Sequence, residues 1–184
     1  AFCAIRESVS PLFYIEKTRG CVKFVMQNSD VKHWFNTVVP ERDPEGAYEH
    51  DRWFKDSIQK AGYELTKSAI ARHVLDDDSL NPVRILELGP GAGTWTKLLV
   101  SRFPDAYVDL LDISKEMLAR AEKALVRHKE RVRFIESDIL LWEPEGKYDY
   151  FFSSRVVEYV DDKKAFDVPG KTKNADNKNK RINK

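Results

Sequence analysis

The sequence predicts an α/β fold built on a doubly wound parallel sheet, and three observations support this class. Short apolar strands alternate with helical stretches across residues 83–153. The first two connections between these strands are long enough for a helical crossover, which parallel strands need. A glycine-rich turn, Gly89–Gly93, joins the first strand to the helix after it. Together these features indicate one sheet with helices packed on it.

Each element of this core has its own signal. Compact apolar runs predict strands, and Ser114 is a residue type that caps helix N-termini. Apolar residues recur at helical spacing after this cap: Met117, Leu118, Ala121, Ala124 and Leu125. The predicted strands are Val83–Leu88, Ala106–Asp112, Val132–Glu136 and Tyr148–Ser153, and the first helix of the core is Thr94–Arg102.

The chain ahead of this core carries weaker signals. Two apolar segments, Pro11–Glu16 and Cys21–Met26, predict a hairpin. Prolines and a glycine among charged residues predict a linker over residues 40–46. A helix is expected from about residue 56 to 77, with an apolar face formed by Ile58, Ala61, Leu65, Ala69 and His73. The expected organisation is an extension over residues 1–45, the main domain over 46–168 and a polar, disordered tail over 169–184.

Composition narrows the class of protein further. The 184 residues carry a net charge of +1 and are 42% apolar, which fits a globular domain and gives no electrostatic reason to expect a nucleic acid. Cys3 and Cys21 show no metal-ligand or redox spacing, and no metal is expected. No apolar run is long enough to span a bilayer, and Arg6 and Glu7 interrupt the early stretch that a signal peptide would need. A cytoplasmic protein is therefore expected.

The strand ends predict a ligand site, because open parallel sheets bind ligands beyond the carboxyl ends of their strands. The first strand leads into Glu87–Thr94, where glycines at alternate positions let a ligand approach the backbone. A tight strand-to-helix connection without a ligand would use the same turn. The third glycine falls at Gly93, and Thr94 stands where a dinucleotide fingerprint needs glycine. This spacing favours a ligand without a pyrophosphate and argues against a dinucleotide-dependent oxidoreductase.

Two acidic residues follow the next two strands. Asp112 could hold both ribose hydroxyls of a nucleoside, or it could be a charge favoured by a helix N-terminus. Asp138 could accept from the amino group of adenine while the next backbone N–H donates to the ring, or it could be a loop or cap residue. In this order, the glycine turn and both acids predict a single nucleoside pocket.

Four segments in sequence order resemble the class I S-adenosylmethionine-dependent methyltransferase family: Ile85–Thr94, Val108–Leu118, Val132–Ile139 and Tyr148–Ser154. The resemblance implies a Rossmann-like sheet, S-adenosyl-L-methionine as cofactor and methyl transfer as activity. It also implies that Tyr48–Phe54 is the helix that covers the cofactor in small-molecule members. The implied cofactor residues are Glu87, Gly89 and Gly91 for the methionine part, Asp112 for the ribose, Ile113, Met117, Asp138 and Ile139 for the adenine, and Ser154 with Arg155 beside the sulfonium.

The sequence departs from the family after the fourth strand. Beyond a short helix expected over Asp161–Phe166, the remaining residues are too polar for the fifth strand and terminal hairpin of a full domain. A truncated domain is therefore expected, with a sheet that is incomplete at its C-terminal edge. The fourth strand would then be open to self-association, unless the N-terminal hairpin or a partner covers it.

The sequence assigns no catalytic residue, although several are candidates. Glu158, Tyr159 and His50 could act as a general base and Arg155 could orient an anionic acceptor, while each also has an ordinary structural role open to it. The resemblance implies a small-molecule or lipid-linked acceptor. A flipped DNA base is disfavoured, because residues 153–156 lack the Asn/Asp-Pro-Pro-aromatic stretch of DNA amino-methylating enzymes. The alternative function is a catalytically silent module that binds the cofactor or a partner.

Overall fold

The computed structural model describes residues 14–18, 21–25, 28–43, 46–154 and 156. Its first elements form the predicted hairpin, in which β1 (Tyr14–Thr18) pairs antiparallel with β2 (Cys21–Val25). The β1 strand ends at Thr18, later than the expected end at Glu16. The hairpin is a sheet of its own, so it does not extend the edge of the larger sheet by pairing.

A helical stretch that the sequence analysis missed follows the hairpin. Helix α1 (Asn28–His33) continues with π-helical geometry over Trp34–Val38 and then as α2 (Val39–Arg42). The predicted linker over residues 40–46 is therefore wrong for its first three residues. Pro40 lies where the π-helical geometry gives way to α2.

Two further helices lead to the main sheet, α3 (Tyr48–Phe54) and α4 (Ser57–Ile70), and α4 continues with π-helical geometry over Ala71–Leu75. The apolar face predicted for α4 is wrong, because Ile58 and Leu65 are 81% and 74% exposed. The buried face instead carries Ile70 and Val74, with Tyr63 partly buried beside them. Two apolar stripes compete on this helix, and the stripe with the large aromatic ring lies against the core.

The centre of the molecule is a four-stranded parallel sheet, as predicted. Its strands are β3 (Arg84–Leu88), β4 (Tyr107–Asp112), β5 (Val132–Glu136) and β6 (Tyr150–Ser153). They are arranged in the order β5-β4-β3-β6, and each neighbouring pair is parallel. The chain moves outward from β3 to β5 and then returns to the other side of β3. This reversal is the feature of doubly wound sheets that opens a ligand crevice at the strand ends.

Helices α5 (Thr96–Arg102) and α6 (Lys115–Ala124) provide the crossovers on either side of β4, and a 3-10 helix follows at Val126–Arg131. The predicted cap is confirmed, since the backbone N–H of Met117 donates to Ser114 Oγ at 3.1 Å. Ala124 was expected on the buried face of α6, but it is exposed. The main core unites one face of the sheet with these helices through Ile85, Val108, Leu110, Leu99, Val100, Leu118, Ala121 and Leu125.

The opposite face of the sheet carries a smaller apolar cluster around Leu86, Leu111 and Tyr148. Among the described residues, none of the helices combines the length and apolar composition needed to cross a bilayer. The expected helix Asp161–Phe166 and the tail over 169–184 lie outside the described residues.

Candidate functional site

A cleft lies beyond the carboxyl ends of β3, β4, β5 and β6. The empty space of the cleft, together with the open solvent at its mouth, amounts to about 990 Å³. Eight of the ten implied cofactor residues line it: Gly89, Gly91, Asp112, Ile113, Met117, Asp138, Ile139 and Ser154. Of the other two, Glu87 is buried and is not part of the cleft wall, and Arg155 lies outside the described residues. The structure therefore brings the predicted residues of four strand ends to one place.

The glycine turn after β3 has three glycines in the left-handed region, with different surroundings. A Cβ on Gly89 (φ 61°) would collide with Val156 Cγ2, so this position has no room for a side chain. A Cβ on Gly93 (φ 81°) would lie 3.4 Å from Ala121 Cβ on α6, where turn and helix pack closely. A Cβ on Gly91 (φ 55°) would meet nothing within 4 Å. Gly91 thus leaves an open cradle in the cleft wall that a side chain would fill.

Asp112 at the tip of β4 is held by backbone N–H groups. Its Oδ2 accepts from Gly91 at 3.3 Å and its Oδ1 accepts from Ser114 at 2.9 Å. Burial raises the pKa of Asp112 to about 6, although hydrogen bonds from the backbone N–H groups of Ser114, Gly91 and Ile113 oppose the shift. The carboxylate is ionised at neutral pH, and each oxygen keeps a lone pair with which it can accept from a ligand hydroxyl.

Glu87 lies behind the glycine turn, in the interior. Burial, together with the nearby charge of Asp112, raises the pKa of Glu87 to about 8. The carboxyl is therefore mainly protonated at neutral pH. The neighbouring hydroxyl of Thr96, also buried, opposes part of this rise in the pKa. A neutral carboxyl directly behind the turn can donate a hydrogen bond toward it.

Asp138 follows β5 and forms a tight turn. Its Oδ1 accepts from the backbone N–H of Leu140 at 2.9 Å, and its carbonyl oxygen accepts from Leu141 and Trp142 at 3.0 and 2.9 Å. The cap role and the pocket role that the sequence left open are thus compatible, because the same turn holds Asp138 and Ile139 in the cleft wall.

Helix α3 closes the side of the cleft next to the glycine turn. Glu49 Oε2 accepts from Thr94 Oγ1 and, at 3.1 Å, from Trp53 Nε1. Arg52 also lines the cleft, with Nη1 3.7 Å from Glu49 Oε1 and its guanidinium 5.1 Å from the centre of the Trp53 ring. Trp53 itself is buried against the ring of Trp95 at 5.4 Å. Trp53 of this segment therefore packs in the core, while Glu49 and Arg52 face the cleft.

Sequence reasoning missed the contribution of residues 28–43, from which Val31 and Phe35 line the cleft. A signal was present, because Val31, Trp34, Phe35, Val38 and Val39 have the spacing of an amphipathic helix. Glu49 and Arg52 belong to Tyr48–Phe54, which the resemblance implied as the helix over the cofactor, whereas Thr94 and Trp95 were not predicted as cleft residues. Helical periodicity indicates a buried face, and only the folded chain shows that this face borders a ligand site.

Comparisons with known proteins show similarity to methyltransferases. Residues 85–168 match a family described as a methyltransferase domain. The chain is 35% identical over 101 residues to malonyl-[acyl-carrier protein] O-methyltransferase 2 of Ilyobacter polytropus, covering 52% of this chain and 39% of that protein. It is 34% identical over 113 residues to trans-aconitate 2-methyltransferase of Azoarcus sp., covering 60% and 42%.

The matched domain family, the parallel sheet and the cleft together support a class I S-adenosylmethionine-dependent methyltransferase.

A solved methyltransferase supports the fold. The crystal structure of magnesium protoporphyrin IX methyltransferase from Synechocystis PCC 6803 with bound S-adenosylmethionine aligns with a TM-score of 0.54 at 23% identity, covering 72% of this chain and 64% of that one. The chain spans about two fifths of the length of the curated methyltransferases given above.

The cleft fits the cofactor of the class I methyltransferases, S-adenosylmethionine. Three acidic side chains, Glu49, Asp112 and Asp138, and one basic side chain, Arg52, belong to its described lining. This excess of negative charge suits a sulfonium cation. The cradle at Gly91 suits a ligand that lies against the backbone.

The structure does not bring His50, the described candidate for a general base, to this cleft. His50 is exposed on α3, with Nδ1 3.4 Å from Asp51 Oδ1, and it is not in the cleft wall. Arg155, Glu158 and Tyr159 lie outside the described residues.

Proposed function

We propose that this protein binds S-adenosylmethionine in the cleft and takes part in methyl transfer to a small-molecule or lipid-linked acceptor. The observation that carries the proposal is the bond between Gly91 and Asp112, which joins the glycine turn and the β4 acid into one wall. Asp138 belongs to the same cleft, at the end of β5. A nucleoside with an amino-acid extension needs all three features in this order.

The proposed roles follow the position of each residue along the cleft. Asp112 would accept from the two ribose hydroxyls, which a carboxylate can do as a charge-assisted pair. Ile113 and Met117 would pack on the adenine, while Asp138 and the backbone N–H of Ile139 would read its edge. The turn of Gly89 and Gly91, supported by Glu87 from behind, would hold the methionine part, and Ser154 would lie near the sulfonium.

The charged pair on α3 would contribute to the amino-acid end. Arg52 is the one basic side chain of the described cleft lining, and Glu49 lies next to it. The methionine part ends in a carboxylate and an ammonium group, so this pair of opposite charges complements it. Thr94 links Glu49 to the glycine turn, which places both charges beside the proposed methionine site.

The names of the curated relatives suggest an acceptor class. A malonyl group and trans-aconitate both carry carboxylates, and we propose an acceptor with a carboxylate for this protein as well. S-adenosylmethionine supplies an electrophilic methyl group on a sulfonium sulfur. The protein's task is then to hold the acceptor oxygen in line with that methyl group, since positioning supplies much of the rate of a displacement.

Calorimetric titration of the chain with S-adenosylmethionine and S-adenosylhomocysteine tests cofactor binding. Asp112→Ala should weaken both ligands about 10- to 100-fold, because hydrogen bonds to a charged group contribute roughly 1.5–3 kcal/mol. Asp105→Ala is the matched control, since Asp105 is exposed and not part of the cleft. Equal affinity of the Asp112 variant and the wild type would contradict the proposed site.

Turnover separates the enzyme from the alternative, a silent binding module. Methyl transfer from S-adenosylmethionine to a panel that contains trans-aconitate, a malonyl thioester, a phenol and an amine would establish the acceptor. The alternative is favoured by one observation: β6 is an edge strand within the described sheet. Cofactor binding without turnover, together with concentration-dependent self-association, would support that alternative. A cytoplasmic location and the absence of nucleic-acid binding stay predictions of the sequence.

A further inference from the structure

Residues 28–43 contribute Val31 and Phe35 to the cleft lining, and the segment is attached to the core by three polar contacts. Lys32 Nζ contacts Glu136 Oε1 at 2.9 Å, at the end of β5. Asn36 contacts the start of α6, and Asp43 contacts the middle of that helix through Arg120 at 2.7 Å. These contacts come from well-separated points of a single segment. They determine which of its side chains face the cleft.

The Asn36 contact is the most specific of the three. Its Oδ1 accepts from Ser114 Oγ at 2.9 Å and from the backbone N–H of Glu116 at 3.1 Å. Ser114 is fully buried and its hydroxyl also accepts from Met117, so Asn36 completes the cap of α6. The helix between Lys32 and Asn36 therefore extends from the tip of β5 to the N-terminus of α6.

Val31 and Phe35 lie one helical turn apart within this part of the segment. Val31 is buried, Phe35 is half-buried, and both belong to the cleft lining. Lys32 and Asn36 contact Glu136 and Ser114, and the residues proposed for the adenine lie within three positions of these two. Ile113 and Met117 are close to Ser114, and Asp138 is close to Glu136. The apolar pair therefore borders the adenine half of the cleft and not the methionine half.

We propose that Val31 and Phe35 form the outer wall of the adenine pocket, so that the purine is enclosed between them and the pair Ile113 and Met117. This inference rests on the proposed cofactor function and adds residues outside the matched methyltransferase segment of 85–168. An aromatic ring and a branched aliphatic side chain suit the flat, apolar faces of a purine. The ligand class that this wall recognises is an adenine nucleoside, whatever group extends from its ribose.

Two ligands distinguish the contribution of the adenine wall to affinity from that of the rest of the site. S-adenosylhomocysteine has both the nucleoside and the amino-acid end, whereas 5′-methylthioadenosine has the nucleoside alone. Phe35→Ala should weaken both by the same factor, about tenfold, as expected for loss of an aromatic contact. Phe54→Ala is the matched control, because Phe54 is 43% exposed and is not in the cleft lining. It should leave both affinities unchanged.

Hydrogen exchange on the wild-type chain provides a measurement that needs no variant. Backbone amides of residues 28–43 should exchange more slowly when 5′-methylthioadenosine is added. The adenine wall would be overturned if exchange is unchanged, or if Phe35→Ala lowers the affinity for S-adenosylhomocysteine alone. Binding by the wild type would still preserve the proposed function. If the folded wild type binds neither ligand, the proposed function fails and the adenine wall fails with it.

Discussion

The backbone N–H of Gly91 donates to Asp112 Oδ2 at 3.3 Å, and this bond joins two strand ends that are 21 residues apart in sequence. The turn after β3 and the tip of β4 therefore form one rigid wall. Asp112 also accepts from Ser114, which caps α6, so the same carboxylate connects the turn to the next helix. A change at the turn should alter the geometry of this acid even though the acid itself is untouched.

Gly91→Ala should impair ligand binding more than it impairs folding. The left-handed backbone at φ 55° should cost about 1–2 kcal/mol of stability with a side chain present. The new methyl group would enter open space in the cleft wall and displace a ligand that lies against the backbone. Calorimetry with S-adenosylhomocysteine and urea denaturation measure the two effects separately.

Gly46→Ala is the control for Gly91→Ala. Gly46 has φ 76°, a Cβ on it would meet nothing within 4 Å, and it lies outside the cleft lining. The variant should show a similar loss of stability with unchanged affinity. Similar affinity losses in the two variants would mean that backbone strain, and not occupation of the cradle, explains the Gly91 result.

Stability should fall as the pH rises through the range in which Glu87 ionises. Its folded pKa is raised from 4.5 to about 8, so the folded state binds more protons than the unfolded state between these values. The free energy of unfolding should therefore decrease from about pH 5 to pH 8. Asp112 adds to the decrease between pH 4 and 6, because its pKa is raised to about 6. Urea denaturation across this pH series measures the slope.

Glu87→Gln should flatten that pH dependence. The amide cannot ionise, so the variant should lose less stability than the wild type between pH 5 and 8, by more than ~1 kcal/mol. Glu64→Gln serves as the control, because Glu64 is exposed on α4. Parallel slopes for wild type and Glu87→Gln would show that another group controls the pH response.

Asp109→Ala should strongly destabilise the fold without altering the cleft lining. Asp109 is buried and accepts from Arg133 Nη2 at 2.8 Å, Arg84 Nη2 at 3.0 Å and the Tyr148 hydroxyl at 2.5 Å. Although burial opposes the shift, these hydrogen bonds hold the pKa of Asp109 below its usual value. Because water can partly solvate the two arginines left behind, which are 31% and 42% exposed, the loss should be below the roughly 3–5 kcal/mol of a fully buried pair. Urea denaturation tests the loss.

Glu145→Ala is the matched control for Asp109→Ala. Glu145 contacts the same Arg133, at 2.5 Å, but its side chain is 69% exposed. An exposed pair contributes about 0–1 kcal/mol, so this variant should remain close to the wild type. Equal losses of unfolding free energy in the two variants would contradict the prediction that burial of Asp109 sets how much this charge cluster stabilises the fold.

Leu65→Ser should cost less than ~0.5 kcal/mol, whereas Ile70→Ala should cost about 2–5 kcal/mol. The two residues lie on the same helix, but Leu65 is 74% exposed and Ile70 only 7%. Thermal or urea denaturation of both variants tests which stripe of α4 is buried. A larger loss of stability for Leu65→Ser than for Ile70→Ala would show that the face predicted from spacing is the buried one.

The parallel sheet, the glycine turn and the acids at the strand ends could be predicted from the sequence because their signals are local, whereas Ile113, Met117 and Ser154 were implied only by the family resemblance. Residues such as Asp112 and Asp138 directly follow apolar strands, and parallel strands end at one edge of their sheet. Once the strands and turns are predicted, the acidic residues that follow them are therefore expected to lie at one site. The Ser114 cap could be predicted for the same reason, since it depends on a contact three residues along the chain.

The tertiary structure decided which side of each helix meets the core. Spacing placed Ile58 and Leu65 inward, yet Tyr63 and Ile70 lie against the core, because packing with distant aromatic residues selects between two apolar stripes. The same applies to Asn36, whose contact with Ser114 joins residues 78 positions apart. By itself, the sequence determined the fold class and the acids at the strand ends. Only long-range packing decided that residues 28–43 border the cleft, because local periodicity contains no information about what a helix packs against.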